Sequence, residues 1–261
     1  MAGRNIRIIL ASAVVALAAG TAAQAQDDVL RIGVEGAYPP YSWKEPDGSI
    51  VGFDIDIAMA LCAEMDRECE LVEQDWDGMI PALVAGRFDA IVASMSITEE
   101  RKQLVDFSIK YYNVPSAFVA LADSALEVTP EGLAGARIGV QRATIQQCYV
   151  ETYFPDAEVV LYPTQEEVYQ DLAAGRLDAQ LSDMISAIEG FLETEAGEGF
   201  AILGEPQSDI ECHGEGAGIA VRKGEEELRD AFSAAILAIR ENGIYAQIND
   251  KYFDFDIYGE E

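Results

Sequence analysis

The sequence predicts an α/β protein of two similar lobes with a cleft between them, and three observations carry that expectation. Strand-length apolar runs alternate with helical ones along the chain, which calls for parallel sheets. The tetrapeptide Arg31-Ile32-Gly33-Val34 recurs unchanged as Arg137-Ile138-Gly139-Val140. Residues 82–94, ALVAGRFDAIVAS, are echoed by residues 171–183, DLAAGRLDAQLSD. Each echo holds a helix end, an Ala-Gly-Arg stop with Gly86 or Gly175 in the left-handed position after the helix, an Asp-Ala pair and a strand. The paired strands end at Glu35 and Ser94 in the first half and at Gln141 and Asp183 in the second. Ligands of open α/β sheets bind at the carboxyl ends of the strands, so two such edges facing each other form a cleft.

Taken in order, the chain opens with Arg4 and Arg7 before an apolar run from Ile8 to Ala19, and Ala23-Gln24-Ala25 has the small-x-small form of a cleavage site. Residues 1–25 read as a signal peptide and Gln26 as the start of a mature, exported protein. The apolar run is too short for a spanning helix, and no later stretch reaches the roughly 20 apolar residues a membrane requires. No Cys precedes Cys62, so a lipid anchor has no acceptor. A soluble periplasmic protein is the expectation.

Without those 25 residues the chain has 15 basic and 47 acidic residues, a net charge of about −32. Nucleic acid and anionic lipid are excluded as partners on that balance, and cations are favoured. A solubility or high-salt adaptation of the whole surface explains the same acidity. The acids are dispersed, so disorder is not indicated. Four Cys in an oxidising compartment allow two bridges. Cys62 and Cys69 are seven apart at a helix end and the next strand start, which suits a local clasp; Cys148 and Cys212 then pair by default or stay free. One His, His213, and no Cys-x-x-Cys motif leave no metal site and no cofactor to expect.

The first lobe reads as a strand at 29–34, a loop Tyr38-Pro39-Pro40-Tyr41, a turn at Pro46-Asp47-Gly48 and a helix at 54–65. A strand near 69–74 and a helix from about 78 to 85 follow. Tyr38 and Trp76 fall just past strand ends, where they serve as cleft walls or as caps on the core. Phe88, Ala90, Ile91 and Val92 make a short strand, after which Ser94, Ser96 and Thr98 lead into a helix. Thr98 is its N-cap, and Glu99 and Glu100 are the acids that suit a first turn. Arg101 does not suit a first turn, where it opposes the helix dipole. Beside two hydroxyls and exposed helix amides, it is placed to grip a carboxylate.

Residues 111–120, with Pro115 inside, are read as a crossover between lobes. The second lobe then gives a strand at 136–140, a helix from Thr144 to Tyr153, a strand at 158–162 and a helix at 164–174 started by the capping box Thr164-x-x-Glu167. Asp183 follows the next strand, and a helix at 185–192 follows Asp183. The glycine-rich stretch 207–218 is a second crossover. Leu228, Ala231, Phe232, Ala235, Ile236 and Ile239 at helical spacing, with Gly243 as stop, make an amphipathic C-terminal helix. The expected division is lobe I from 26–112 and 217–261, lobe II from 117–207, and hinge strands at 113–116 and 208–216.

These residues resemble the periplasmic solute-binding proteins of ABC transporters for polar amino acids, above all the lysine, arginine, ornithine and histidine branch. The likeness spans Val29 to Gly259. It rests on Val51-Gly52-Phe53-Asp54-Ile55-Asp56, Asp77-x-x-Ile80-Pro81-x-Leu83, Ser94-x-Ser96-Ile97-Thr98-x-x-Arg101, Ala174-Gly175-Arg176-x-Asp178 leading to Asp183, and Tyr252-Phe253-Asp254-Phe255. The resemblance implies the two-lobe, type II periplasmic-binding-protein fold, with two crossover hinge strands and the ligand in the cleft. It implies that Arg101 holds a ligand α-carboxylate with help from Ser96, Thr144 and the backbone of Ile145, and that Asp183 receives the α-ammonium with Ser94 sharing it. Glu35 then meets the far, cationic end of a basic side chain, and Tyr38 and Trp76 sandwich its stem. Ala93 stands where near relatives often carry serine, and Ala143 and Ile145 replace residues of a Gly-Thr-Thr-like turn. Glu35 is one methylene longer than the aspartate of lysine-binding relatives and Trp76 larger than their phenylalanine, features that some opine-binding relatives share.

The implied function is binding of arginine, lysine or ornithine, with arginine slightly ahead, and delivery to an inner-membrane ABC permease complex by a monomer. An octopine- or nopaline-binding protein is the alternative within the family. A dehydratase-like enzyme on the same fold, drawing acid and base from Glu35 and Asp183, is the alternative outside it.

Overall fold

Two five-stranded sheets carry the chain in the computed structural model, which describes residues 29–259. The segment read as a signal peptide lies outside the described residues. The first half runs β1 (Leu30–Val34), β2 (Ala37–Tyr38), β3 (Ser42–Lys44), β4 (Ile50–Val51), α1 (Phe53–Glu64) and β5 (Cys69–Glu73). It continues through α2 (Met79–Val84), β6 (Ala90–Ile91), α3 (Glu99–Lys102) and β7 (Val105–Tyr112). The second half has β8 (Ser116–Leu121), β9 (Arg137–Gln141), α4 (Ile145–Tyr153), β10 (Glu158–Tyr162), α5 (Gln165–Ala173), β11 (Ala179–Asp183), α6 (Met184–Ala187) and β12 (Phe200–Gln207). The chain then returns as β13 (Ala217–Arg222), α7 (Glu226–Glu241) and α8 (Ile244–Tyr252).

The sheet orders are β5-β1-β6-β13-β7 and β10-β9-β11-β8-β12. Position for position they match, and β1 and β9, the two Arg-Ile-Gly-Val strands, hold the same place. The wholly parallel sheets expected from strand–helix alternation are not what forms. β13 runs antiparallel to β6 and β7, and β8 runs antiparallel to β11 and β12. Both strands are entered directly from the other sheet, and without a helical return the direction reverses.

Contacts between the repeats explain why the two echoes go together. The Arg31 guanidinium and backbone N–H donate to the Asp89 carboxylate at 2.9 to 3.1 Å, and Arg137 makes the same three contacts to Asp178 at 2.8 to 3.0 Å. The glycine of each tetrapeptide makes room for the apolar residue of the other motif. A Cβ on Gly33 would lie 2.7 Å from the Phe88 ring, and one on Gly139 would lie 2.3 Å from Leu177. Each sheet is covered on both faces by buried apolar clusters. Around the first are Ile32, Val34, Leu61 and Ile236 on one side and Met79, Leu83, Phe88 and Val105 on the other. Around the second are Phe118, Ile138 and Val150 opposite Val168, Leu172 and Phe191.

The chain passes between the sheets twice, from β7 to β8 and from β12 to β13. The segments expected as hinge strands are not strands: 113–115 and 208–216 lie outside any ladder, and Ser116 already opens β8. Pro115 has no N–H to give a ladder, and Gly214 and Gly216 sit at φ 70° and 102°, in the left-handed region. Both segments are anchored at each end. The Asn113 N–H donates to Ile257 O and the Met184 N–H to Pro115 O, both at 2.9 Å. Cys212 is bonded to Cys148 of α4, and the Glu215 N–H donates to Ile97 O at 3.1 Å. The other disulfide joins Cys62 and Cys69, between α1 and β5. The helix expected at 185–192 is one α-helical turn followed by a π-helical turn, Ile188–Leu192.

Candidate functional site

The strand ends of both sheets converge on one cavity. Its lining includes Glu35, Tyr38, Trp76, Ala93, Ser94, Ser96 and Arg101 from the first half and Thr144, Ile145 and Asp183 from the second. The space between the lining atoms is about 620 Å³, part of it open to solvent. All ten residues singled out in the sequence therefore border the same cavity.

Arg101 follows Thr98, whose hydroxyl accepts from the Arg101 N–H at 3.2 Å as an N-cap. One guanidinium N–H goes to Ser96 O at 3.0 Å and another crosses the cleft to Ala143 O at 3.1 Å. A guanidinium has five N–H donors, so three remain, enough for a bidentate grip on a carboxylate. The guanidinium carbon stands 5.3 Å from the centre of the Trp76 ring. Desolvation of the guanidinium pulls the Arg101 pKa down to about 10, against the nearby Glu100 carboxylate, which raises it. The Trp76 indole, 8 % exposed, donates to Ala143 O at 3.1 Å.

Asp183 ends β11 and caps α6, its Oδ1 accepting from the Ile185 and Ser186 N–H groups at 2.9 and 3.3 Å. The same oxygen accepts from the Tyr41 hydroxyl at 2.8 Å, while Oδ2 accepts from none of the described residues. At 6 % exposure, burial raises the pKa to about 6, tempered by those donors. Glu35, just past β1, is 7 % exposed, and its Oε1 accepts from the Gln141 side chain at 2.6 Å. Burial raises it to about 7, against the Gln141 hydrogen bond. Neither acid forms an ion pair with a described residue, and no cation is among the main causes of either shift. The cavity thus brings together two buried carboxyl groups and one guanidinium, none of them ion-paired with a described residue, which suits a ligand carrying both signs of charge.

Two of the lining side chains also have partners within the protein. The Ser94 hydroxyl donates to Asp54 Oδ2 at 2.8 Å, which leaves its oxygen free to accept as part of the cavity lining. Asp54, buried in the first turn of α1, also accepts from the Tyr111 hydroxyl at 2.8 Å and is raised to about 7 by burial. Ser94 itself sits at φ 55°, and its N–H donates to Tyr111 Oη at 2.9 Å. The Thr144 hydroxyl is the N-cap of α4, accepting from the Gln147 N–H and donating to Gln141 O. What Thr144 and Ile145 offer the cavity is backbone at a helix start.

Tyr41 was not among the expected site residues; Tyr38 and Tyr112 stack on it at 5.6 and 4.9 Å. Gln141, expected only as a ligand-facing strand end, lines the cavity as well. Gln146, Gln165 and His213 line the cavity too. A Tyr-Pro-Pro-Tyr loop gives no sign that its second Tyr reaches an acid 142 residues away.

Residues 30–255 match the model of the bacterial extracellular solute-binding proteins, family 3. The chain is 50 % identical over 237 residues to the L-arginine-binding protein of Pseudomonas aeruginosa, covering 90 % of this chain and 92 % of that one. It is 41 % identical over 235 residues to the lysine/arginine/ornithine-binding periplasmic protein of Escherichia coli, covering 89 % and 90 %. Among solved structures it resembles a Salmonella typhimurium periplasmic binding protein of high arginine specificity. The TM-score is 0.80 at 34 % identity, over 86 % of this chain and 99 % of that one.

Proposed function

Because the chain belongs to the bacterial extracellular solute-binding proteins of family 3, we propose that it binds a basic L-amino acid in the periplasm, arginine ahead of lysine and ornithine, and delivers it to an inner-membrane ABC permease. The observation that carries this reading is the charge pattern of the cavity: Glu35 and Asp183 are buried and Arg101 half-buried, and none of the three is in an ion pair with a described residue. A zwitterion with one further positive charge neutralises all three.

In this reading the three free Arg101 donors take the α-carboxylate, aided by Ser96 and the first amides of α4 at Thr144 and Ile145. Asp183 Oδ2 takes the α-ammonium and Glu35 the distal cation, with Tyr38 and Trp76 along the side-chain stem and Ala93 at the wall. Ser94 supports the site by holding Asp54. Residues 26–112 with 217–261 act as lobe I and residues 117–207 as lobe II, and the linkers near 113–116 and 208–216 bend as the lobes close. The glutamate–glutamine contact across the cleft, Glu35 to Gln141, forms on closure and leaves a shape a permease can read.

The protein acts by binding and not by catalysis, because both candidate acids are committed to ionic contacts with the ligand. Residues 1–25 direct export and are removed. A thermal-shift screen over the amino acids together with ornithine, citrulline, octopine and nopaline tests the whole reading. Stabilisation by arginine, lysine or ornithine supports it, and a response to an opine or to neutral amino acids alone overturns it. Mass spectrometry of the ligands after incubation decides against the binding role if they are turned over.

A further inference from the structure

Ala143 holds a backbone conformation that its side chain disfavours. At φ 59° it lies in the left-handed region without being glycine, between the end of β9 and the N-cap of α4. Such residues persist where their surroundings hold them, and the contacts here are specific. The Ala143 N–H donates to the Gln147 side-chain oxygen at 2.8 Å, tying it to the first turn of α4. The carbonyl points the other way, over the cleft, where it accepts from both Arg101 Nη2 and Trp76 Nε1 at 3.1 Å. Next to it, Arg142 pairs with Asp77, which adjoins Trp76. Two consecutive residues of the second half thus seize two consecutive residues of the first.

We propose that Ala143 is a positioning residue for the ligand, a latch whose left-handed backbone turns one carbonyl onto Arg101 and Trp76 together when the cleft closes. The carbonyl takes the Arg101 N–H that would otherwise swing, so the remaining donors are aimed into the cavity. It also seats the indole as a wall. Because the donors and the acceptor come from opposite sides, the latch forms only after closure. It therefore governs how long a ligand stays rather than how fast it enters. The proposal rests on the ligand reading above only for its probe, arginine.

Stopped-flow kinetics of arginine on the mature chain test it, followed by tryptophan fluorescence for Ala143 variants and by a fluorescent-ligand displacement for a Trp76 variant. Ala143→Pro confines φ to the right-handed side and cannot present the carbonyl. Its dissociation is expected to be faster by about tenfold or more, with association within about threefold of the native rate. Ala143→Gly enters the left-handed region freely and keeps the native dissociation rate. Trp76→Phe retains an aromatic wall, loses one donor and speeds dissociation. A folded proline variant that releases arginine at the native rate overturns the proposal, as does a glycine variant that releases it as fast as the proline variant. Should Ala143→Pro not fold, native release by Trp76→Phe overturns it instead. A wild-type chain that binds no basic amino acid overturns the ligand reading alone. The thermal-shift screen then supplies the amino acid to use as probe, and Ala143→Pro must release that ligand faster than wild type, equal rates refuting the latch.

Discussion

Replacing Glu35 by Gln separates charge from shape at the far end of the cavity. The amide oxygen of Glu35→Gln can still accept from Gln141, which the carboxylate does at 2.6 Å, so the wall survives while the negative charge is lost. An ion pair at about 4 Å with an effective dielectric constant of about 20 contributes about 4 kcal/mol. Against that stands the cost of deprotonating a group held near 7, which at neutral pH is only a few tenths of a kcal/mol. A net loss of about 2 to 4 kcal/mol is expected for arginine, roughly 30- to 1000-fold in affinity. Citrulline has the same length and no distal charge, so its affinity should change by less than about 1 kcal/mol. Titration calorimetry of both ligands against both proteins measures the difference. Equal losses for arginine and citrulline would refute the assignment of Glu35 to the side-chain cation.

Arg101→Ala removes the only described cation in the cavity lining and should abolish submicromolar binding of every basic amino acid by calorimetry, while circular dichroism stays native. The pH dependence has a defined sign. Asp183 and Glu35 are raised to about 6 and 7 when folded and ligand-free, so their contribution to stability is complete below about pH 4 and is lost as pH rises to 7. A cationic ligand requires both ionised, so arginine affinity should fall by up to about tenfold per group for each pH unit below those values, with proton release detectable in buffers of different ionisation enthalpy. Gly139→Ala places a Cβ 2.3 Å from Leu177 and should destabilise the chain by about 1 to 3 kcal/mol in urea melts, without altering arginine affinity where the variant is folded.

Much of this architecture was legible because the chain states it twice. The Arg-Ile-Gly-Val and Gly-Arg-x-Asp-Ala motifs encode both strands and the contact that joins them, so Arg31 with Asp89 and Arg137 with Asp178 could be placed in equivalent units before their pairing was known. Arg101 was legible as a cation in the wrong turn of a helix. Strand direction was not legible, since β8 and β13 are antiparallel for a reason of connectivity, not of local composition. The occupations of Ser94 and Thr144 were hidden as well. A hydroxyl near a cleft looks the same in sequence whether it faces a ligand, caps a helix or holds a buried Asp54. Tyr41 was lost in an aromatic loop whose partner comes from the other half.

The two disulfides close loops of very different size, seven residues for Cys62–Cys69 and 64 for Cys148–Cys212. By chain entropy the short clasp restricts the unfolded chain by about 2.5 kcal/mol and the long one by about 4. The long loop encloses β10, α5, β11, α6 and β12, while β8 and β9 of the same half lie outside it. On unfolding, the enclosed stretch has less disorder to gain than open chain of the same length, and a reductant that opens both loops removes that restriction, more of it from the second half than from the first.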